Sequence, residues 1–420
     1  MILERKNFPA LVYLTLFSLT GLVSNYGALD RIASQWLYLS LINTLGLIYF
    51  LYECDIKTTL KKFFRFKPFF LLVAFVLWGF ISIFYALNGV EVIVKFIRWA
   101  HLPLSLLILT VIYLNYDFDF VKIISLLMCF VLLFELYFSL KPYYQIIQLT
   151  EYNFSFADLI KGATGNKNIT AASVLIKTPF IFYILDRTKN QLFRFLLSII
   201  IFCSLYLVFL LSARSALIAF FLILFVLIVR IIYSYLKDKN RLKNTSTSIT
   251  FISILFAIII FQLNFRNENT ASFTKRVSSI NTEDTSTQQR LRYYKHSANQ
   301  ILSHPIIGVG LGNWKIKSID YDKYDVKAYV IPYHTHNDFL EIGAELGLIG
   351  LILYILIFYY PFVNVFNSKS SEIFNLEMLI LCAGIVYFID SNLNFPHARP
   401  VMLVPFMIIL MLSFTQKNKK

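Results

Sequence analysis

Runs of roughly 17 to 25 apolar residues recur along the whole chain, and a run of that length has few ways to fold. Lipid offers no water to backbone N–H and C=O groups, so each run must become a helix that pairs its own backbone. Reading the runs as spans gives about twelve helices. They fall near residues 9–27, 36–53, 68–87, 93–114, 120–140, 171–186, 193–212, 215–236, 248–264, 338–366, 375–394 and 398–415. Composition agrees: 58% of the 420 residues are hydrophobic and the mean hydropathy is +0.65, far more apolar than a soluble globular domain. With 42 Phe and 26 Tyr, aromatics can furnish both lipid-facing surfaces and interfacial belts.

Lys and Arg in short loops set orientation. The head MILERKNF, the runs KTTLKKFFRFK (Lys57 to Lys67), RTKNQLFR (Arg187 to Arg194) and KDKNRLK (Lys237 to Lys243), and the tail QKNKK all fall on one side. That side is expected to be the cytoplasm. The first span lacks an A-x-A-like cleavage site and is expected to be retained rather than removed as a signal peptide. The formal charge of +15 is then a topology signal plus attraction to anionic headgroups, with no support for nucleic-acid binding. Cys54, Cys129, Cys203 and Cys382 lie within or at the ends of spans, so no disulfide framework is implied.

The chain reads as one membrane domain in four stretches: residues 1–170 (the first five spans and an outer loop), 171–264 (the next four), a large outer loop over 265–335, and 336–420 (the last three). Loops beyond about 12 to 15 residues are usually functional or disordered. Within the large one, TSTQQRLRYYKHSANQIL places Leu291, Tyr294, Ala298, Ile301 and Leu302 at helical spacing, with Thr285 or Ser286 as N-cap and Arg290 at one edge of that face. HPIIGVGLGNW then ends the helix with Pro305 and three glycines, and Trp314 suits a membrane interface.

The chemistry concentrates at HTHNDFLEIGAELGLIG, His334 to Gly350. Thr335 or Asn337 is the expected N-cap of the following helix, with Asp338 and Glu341 in its first turn as the dipole favours. The unpaired N–H groups there make an anion site, and a neutral His336 beside it can act as a general base. Gly343, Gly347 and Gly350 would let a neighbouring helix approach closely. Arg214 sits in a tight turn, LSARSAL, between two apolar runs; it marks a site or simply snorkels. Arg399, in NFPHARP, is placed to face the same outer cavity.

Several arginines, a helix N-terminus and one histidine at the outer face of a bundle suit a lipid diphosphate, because guanidinium forks match phosphate oxygens. The histidine would take a proton from an acceptor hydroxyl. Arg214, Arg290, Arg399 and Asn337 are the substrate-binding candidates and His336 the catalytic one. Other readings stay open: His336 as an interfacial residue with local hydrogen bonds, a metal site from His334 and His336 with His304 or His296, or metal held by Asp320 and Asp322 or by Asp117 and Asp119. Arginine is favoured over metal, since paired acids are common by chance.

SARSAL, RLRYYKHSANQILSHPIIGVGLGNW from Arg290 and HTHNDFLEIGAELGLIGLILY, in this order, resemble the O-antigen ligase and polymerase superfamily. GNKNITAASVL before the sixth span is similar too, and the likeness covers about residues 160 to 360. Tyr294 stands where many members have Trp. The resemblance implies an all-α integral membrane enzyme with one large, partly helical periplasmic loop, in the bacterial inner membrane. Its donor would be a glycan on undecaprenyl diphosphate, contacted by Arg214 and Arg290, with His336 at the start of the helix after the loop. It implies a glycosyltransferase whose partners are the bilayer, the donor and a glycolipid or glycan acceptor, and the preference for arginine makes it metal-independent and without cofactors. Ligase and polymerase are not separated, and related members glycosylate protein hydroxyls. A glycolipid transporter is the non-enzymatic alternative, although no paired broken helices or repeats are legible.

Overall fold

The computed structural model describes residues 5–24, 30, 32–54, 67–237, 245–264, 285–325, 332–366 and 373–418. Fourteen α-helices run through them: α1 Phe8–Leu19, α2 Ala33–Glu53, α3 Lys67–Ile81, α4 Gly89–Asn115, α5 Phe120–Leu149, α6 Lys167–Arg187, α7 Gln191–Leu211, α8 Arg214–Lys237, α9 Thr245–Asn264, α10 Thr285–Ser303, α11 Trp314–Asp322, α12 Asp338–Phe366, α13 Leu376–Leu393 and α14 Pro400–Asn418. No strand occurs among the described residues.

Every expected span overlaps a helix, but nine of these helices are long and apolar enough to cross a membrane among the described residues, not twelve. The shortfall has local causes. Helix α1 has 12 residues, the apolar stretch of α14 is Pro400–Ser413, and α2 interrupts its apolar run with Gln35, Asn43 and Thr44. Expectations for 265–284 and 326–331 of the large loop, most of the basic runs after α2 and α8, and the extreme termini lie outside the described residues.

Asparagine starts many of these helices. The side chains of Asn88, Asn166, Asn190, Asn337 and Asn375 each accept a first-turn backbone N–H of α4, α6, α7, α12 and α13, which satisfies donors that have no intrahelical partner. The core helix is α6, buried along nearly its whole length. It carries Lys177, whose Nζ lies 3.0 Å from Glu135 of α5 and 2.6 Å from Ser173 Oγ. A charge at that depth survives only when paired and hydrogen-bonded.

The connections sort to two ends of the bundle. At one end the turn after α3 meets the turn before α11, through Tyr85 Oη to Ile307 O (2.9 Å) and Asn88 N to Asn313 Oδ1 (2.7 Å). Tyr152, after α5, reaches Leu210 near the end of α7. At the opposite end Arg187 binds Phe374 O and Asn7 binds Asp117 O.

Helix α12 breaks at Gly347, where φ is 66° and ψ is −168°. The turn 305–312 docks into the break: Val309 N donates to Ala344 O, Gly310 N to Glu345 O, and Leu348 N to Pro305 O at 2.7 Å. Trp78 Nε1 binds Leu346 O. A Cβ on Gly347 would lie 2.2 Å from Ile306 O, so only glycine supplies both the left-handed backbone and the space. Gly347 therefore admits a loop, and Gly343 lets helix α10 approach closely through Ile301, as expected, whereas a Cβ on Gly350 would meet only Leu346 of its own helix.

Two further expectations are corrected. Trp314 is packed inside the protein, 1% exposed, with its backbone N–H donating to Glu345 Oε1. Helix α10 buries its apolar stripe only in part: Tyr294, Ala298 and Ile301 are half-buried, Leu291 and Leu302 are exposed, and the fully buried face is Tyr293, Ser297 and Gln300. That face meets polar partners, Tyr321 Oη binding Gln300 Oε1 at 3.1 Å, so hydrogen bonding rather than hydrophobicity orients it.

Candidate active site

His336 has φ of 58°, one of two non-glycine residues with positive φ among those described. Such backbone costs about 1–3 kcal/mol and persists where surroundings enforce it. Here Tyr294 Oη donates to His336 O at 3.0 Å and to Asn392 O at 3.2 Å. Asn337 caps Leu340 N with Oδ1 and donates from Nδ2 to Asn392 O, so both ends of its side chain are committed to holding the turn. Thr335 Oγ1 accepts from Asn337 N. The turn thus ties Tyr294 of α10 and the start of α12 to the end of α13.

The imidazole of His336 packs edge-on against Phe395, ring centroids 5.1 Å apart, and its buried Nδ1 has no hydrogen-bond partner among the described residues. Burial, then the charge of Arg290 and that of His334, push its pKa down to about 4, against the pull of Glu341. It is a neutral imidazole at any ordinary pH.

Arg214 opens α8 directly after Ser212, the other positive-φ residue (φ 48°), which ends α7 in a left-handed C-cap. Its Nη1 binds Thr287 Oγ1 of α10 at 3.0 Å, one turn before Arg290. Ser215 and Asn394 join Asp390 Oδ1 (3.3 and 2.6 Å), pinning the start of α8 to the end of α13. Arg399 stands with Cζ 5.2 Å from the centre of the Phe395 ring. The five candidates thus gather at one end of the bundle, Arg214 and Arg290 on the α10 side of His336, Arg399 across Phe395.

Below them runs a buried ionic chain that sequence reading did not assemble. His397 Nδ1 lies 2.6 Å from Asp338 Oδ1 and its Nε2 3.3 Å from Glu341 Oε1. Glu341 also binds His334 Nδ1, the backbone N–H of Thr335 and Lys95 Nζ (3.1 Å), and Lys95 continues to Glu345 at 2.8 Å. Burial opposes charge on His397, but Asp338 and Glu341 outweigh it and raise its pKa to about 9. Trp99 stacks on the same ring. The chain fixes the 334–337 turn from beneath. Its signals were Glu341 and Glu345 spaced i, i+4 in an apolar helix together with Lys95 inside a span, since charges at such depth need partners.

Two groups have metal-compatible spacing among the described residues, His334 with Glu341 and His397, and His296 with Asp322 and Asp325. Lys95 already neutralises Glu341, and Arg292 Nε lies 2.7 Å from Asp322. Asp320 pairs with Lys317, and His304 Nδ1 with Gln300 and Ser303. The alternative combination of His334 and His336 is not among these groups: His334 Nδ1 turns to Glu341 and its ring stacks on Phe395, against which His336 packs edge-on.

Comparison with known proteins picks out the same region. Residues 199–355 match the family model described as O-Antigen ligase. A Rickettsia typhi protein named "Putative polysaccharide ligase" is 30% identical over 145 residues, 34% of this chain and 34% of its own; a namesake in Rickettsia conorii is 32% identical over 114 residues, 26% and 27%. The "ComP-specific O-oligosaccharyltransferase" of Acinetobacter baylyi is 24% identical over 271 residues, 62% of this chain and 46% of its own. The matches thus span less than half of each of these relatives. The family match covers the turn at Arg214, helix α10, the docked turn 305–312 and the His336 turn with the broken helix after it. Over residues 199–355 this multi-pass membrane chain is therefore similar to the O-antigen ligase family.

Proposed function

We propose that the chain is a glycosyltransferase of the bacterial inner membrane that moves glycan from undecaprenyl diphosphate to an acceptor hydroxyl at the periplasmic face. One observation carries the reading: a neutral, strained histidine under the influence of Arg290, on a turn that hydrogen bonds and ion pairs hold from every side. His336 takes the acceptor hydroxyl proton as the oxygen bonds to the anomeric carbon. The bond from that carbon to the phosphate oxygen breaks, and its electron pair leaves on the lipid diphosphate. Arg214 and Arg290 hold the diphosphate and stabilise the leaving charge, as charge-assisted guanidinium forks do. Arginine then does what a divalent ion does elsewhere, so no metal is required. Glycolipid as acceptor makes this a ligase, and another lipid-linked repeat would make it a polymerase. The likeness to the Acinetobacter protein over 62% of this chain favours a protein hydroxyl as the second reading.

The test is reconstitution of the full chain with purified lipid-linked glycan and acceptor in excess EDTA. Transfer of sugar is expected. Movement of the glycolipid between leaflets without transfer would make the chain a transporter, and activity restored only by magnesium or manganese would sink the arginine mechanism.

A further inference from the structure

Beside the His336 turn lies a cavity of about 700 Å³, inside the roughly 300–1,000 Å³ range of small-molecule sites. It opens where α2 and α4 face the turn before α11 and the short Pro396–Ala398 helix. Phe395, His334 and Arg399 line it, whereas Arg214, Arg290 and His336 do not. Phe395 is therefore a shared wall, with the cavity against it and the His336 ring 5.1 Å from its centre.

The lining is charge-balanced. At the rim Arg98 pairs with Asp30 at 3.1 Å and Lys315 with Glu91 at 2.7 Å; deeper, Lys95 pairs with Glu345 and Glu341. Positive His397 is answered by Asp338 behind it. A diphosphate carries several negative charges and would meet these carboxylates at every side. A neutral polyol meets what it needs: donors and acceptors side by side at the rim for hydroxyl groups. The exposed ring of Tyr333 at the rim offers a flat face for the apolar C–H face of a sugar ring.

We propose that this cavity is an acceptor site for an uncharged stretch of glycan, which presents its hydroxyl past Phe395 to His336 while the donor diphosphate occupies the Arg214 and Arg290 side. The proposal rests on the transfer reaction above and adds the second substrate's place and chemistry.

The test uses the full chain in nanodiscs and two probes, inorganic pyrophosphate and a phosphate-free oligosaccharide released from the host's own surface glycan. Two variants alter only the cavity: Val94→Trp adds bulk at a residue 42% exposed, and Tyr333→Ala removes a rim face 60% exposed, so neither disturbs the core. Each is expected to weaken oligosaccharide binding by about tenfold or more and leave pyrophosphate binding unchanged, while Arg290→Ala does the reverse. In the transfer assay Val94→Trp is expected to raise KM for the acceptor and not for the donor. Oligosaccharide that fails to bind wild type, or binds both cavity variants as wild type, overturns the proposal, as does a rise in donor KM, which would assign the cavity to the donor's own sugars. Pyrophosphate lost in Val94→Trp also overturns it. Pyrophosphate that ignores Arg290→Ala instead refutes the diphosphate assignment and leaves the cavity result standing.

Discussion

At the scale of single residues, His336 and His397 are opposite uses of the same side chain. His336 is buried beside positive charge with its pKa near 4, and His397 is buried between carboxylates with its pKa near 9. Since kcat/KM reports the free enzyme's essential base, the rate should stay level from pH 8 down to about 5 and fall only towards pH 4, rather than near the ordinary histidine value of about 6.5. A midpoint at 6 or above in a pH profile would contradict the geometry. Stability has the opposite lever. The proton on His397 is held more tightly folded than unfolded, so its contribution is complete below about pH 6.5 and lost as pH rises towards 9. His336 binds its proton more weakly when folded, so its contribution is lost as pH falls from about 6.5 towards 4. Thermal melts should decline above about pH 6.5, and His397→Gln should remove that decline. Sequence reading singled out His336 because a histidine just before a helix whose first turn carries Asp338 and Glu341 is a local pattern. It could not find the chain beneath, because Lys95 meets Glu341 and Glu345 across some 246 and 250 positions of sequence.

At the scale of elements, the spans were legible because an apolar run in lipid has one outcome, while the way the extramembrane pieces attach was not. Glycines at 343, 347 and 350 have the spacing of a helix contact, and nothing local distinguishes that from a helix broken to admit a loop. Helix α10 misleads for a related reason: its apolar stripe is real, but Gln300 and Ser297 face the protein and Leu291 and Leu302 do not. Gly347 tests this description. Gly347→Ala places a Cβ on Ile306 O and forces an unfavourable φ, which should cost about 3 kcal/mol and loosen the 305–312 turn and the His336 turn together. Gly384→Ala, whose Cβ would meet only the Phe362 ring at 3.3 Å, is the control. Hydrogen exchange over residues 305–340 should rise in the first variant and not in the second; unchanged protection would mean that the break does not depend on glycine.

At the scale of the whole molecule, the loops that carry the candidate residues share one end of the bundle, and Arg187 with Phe374 marks the other. On the orientation proposed from the Lys and Arg distribution, the second end faces the cytoplasm. With the four native cysteines replaced, Tyr324→Cys, at a residue 88% exposed, should react with an impermeant thiol reagent from outside the inner membrane. Lys189→Cys, in the exposed turn after α6, should not, and the reverse pattern would invert the topology. The central claim is that this end divides its labour, Arg214 and Arg290 gripping the diphosphate and His336 taking the proton. Donor binding and single-turnover transfer, measured together on folded, membrane-inserted variants, test it most directly. His336→Ala should bind donor nearly as wild type and lose about 10² to 10⁴ in rate. Arg290→Ala should weaken both by about 1.5–3 kcal/mol, with partial rescue by Arg290→Lys, which keeps the charge and loses the fork. Wild-type turnover in His336→Ala, or donor binding lost in it as badly as in Arg290→Ala, would contradict the account and leave that histidine a structural residue.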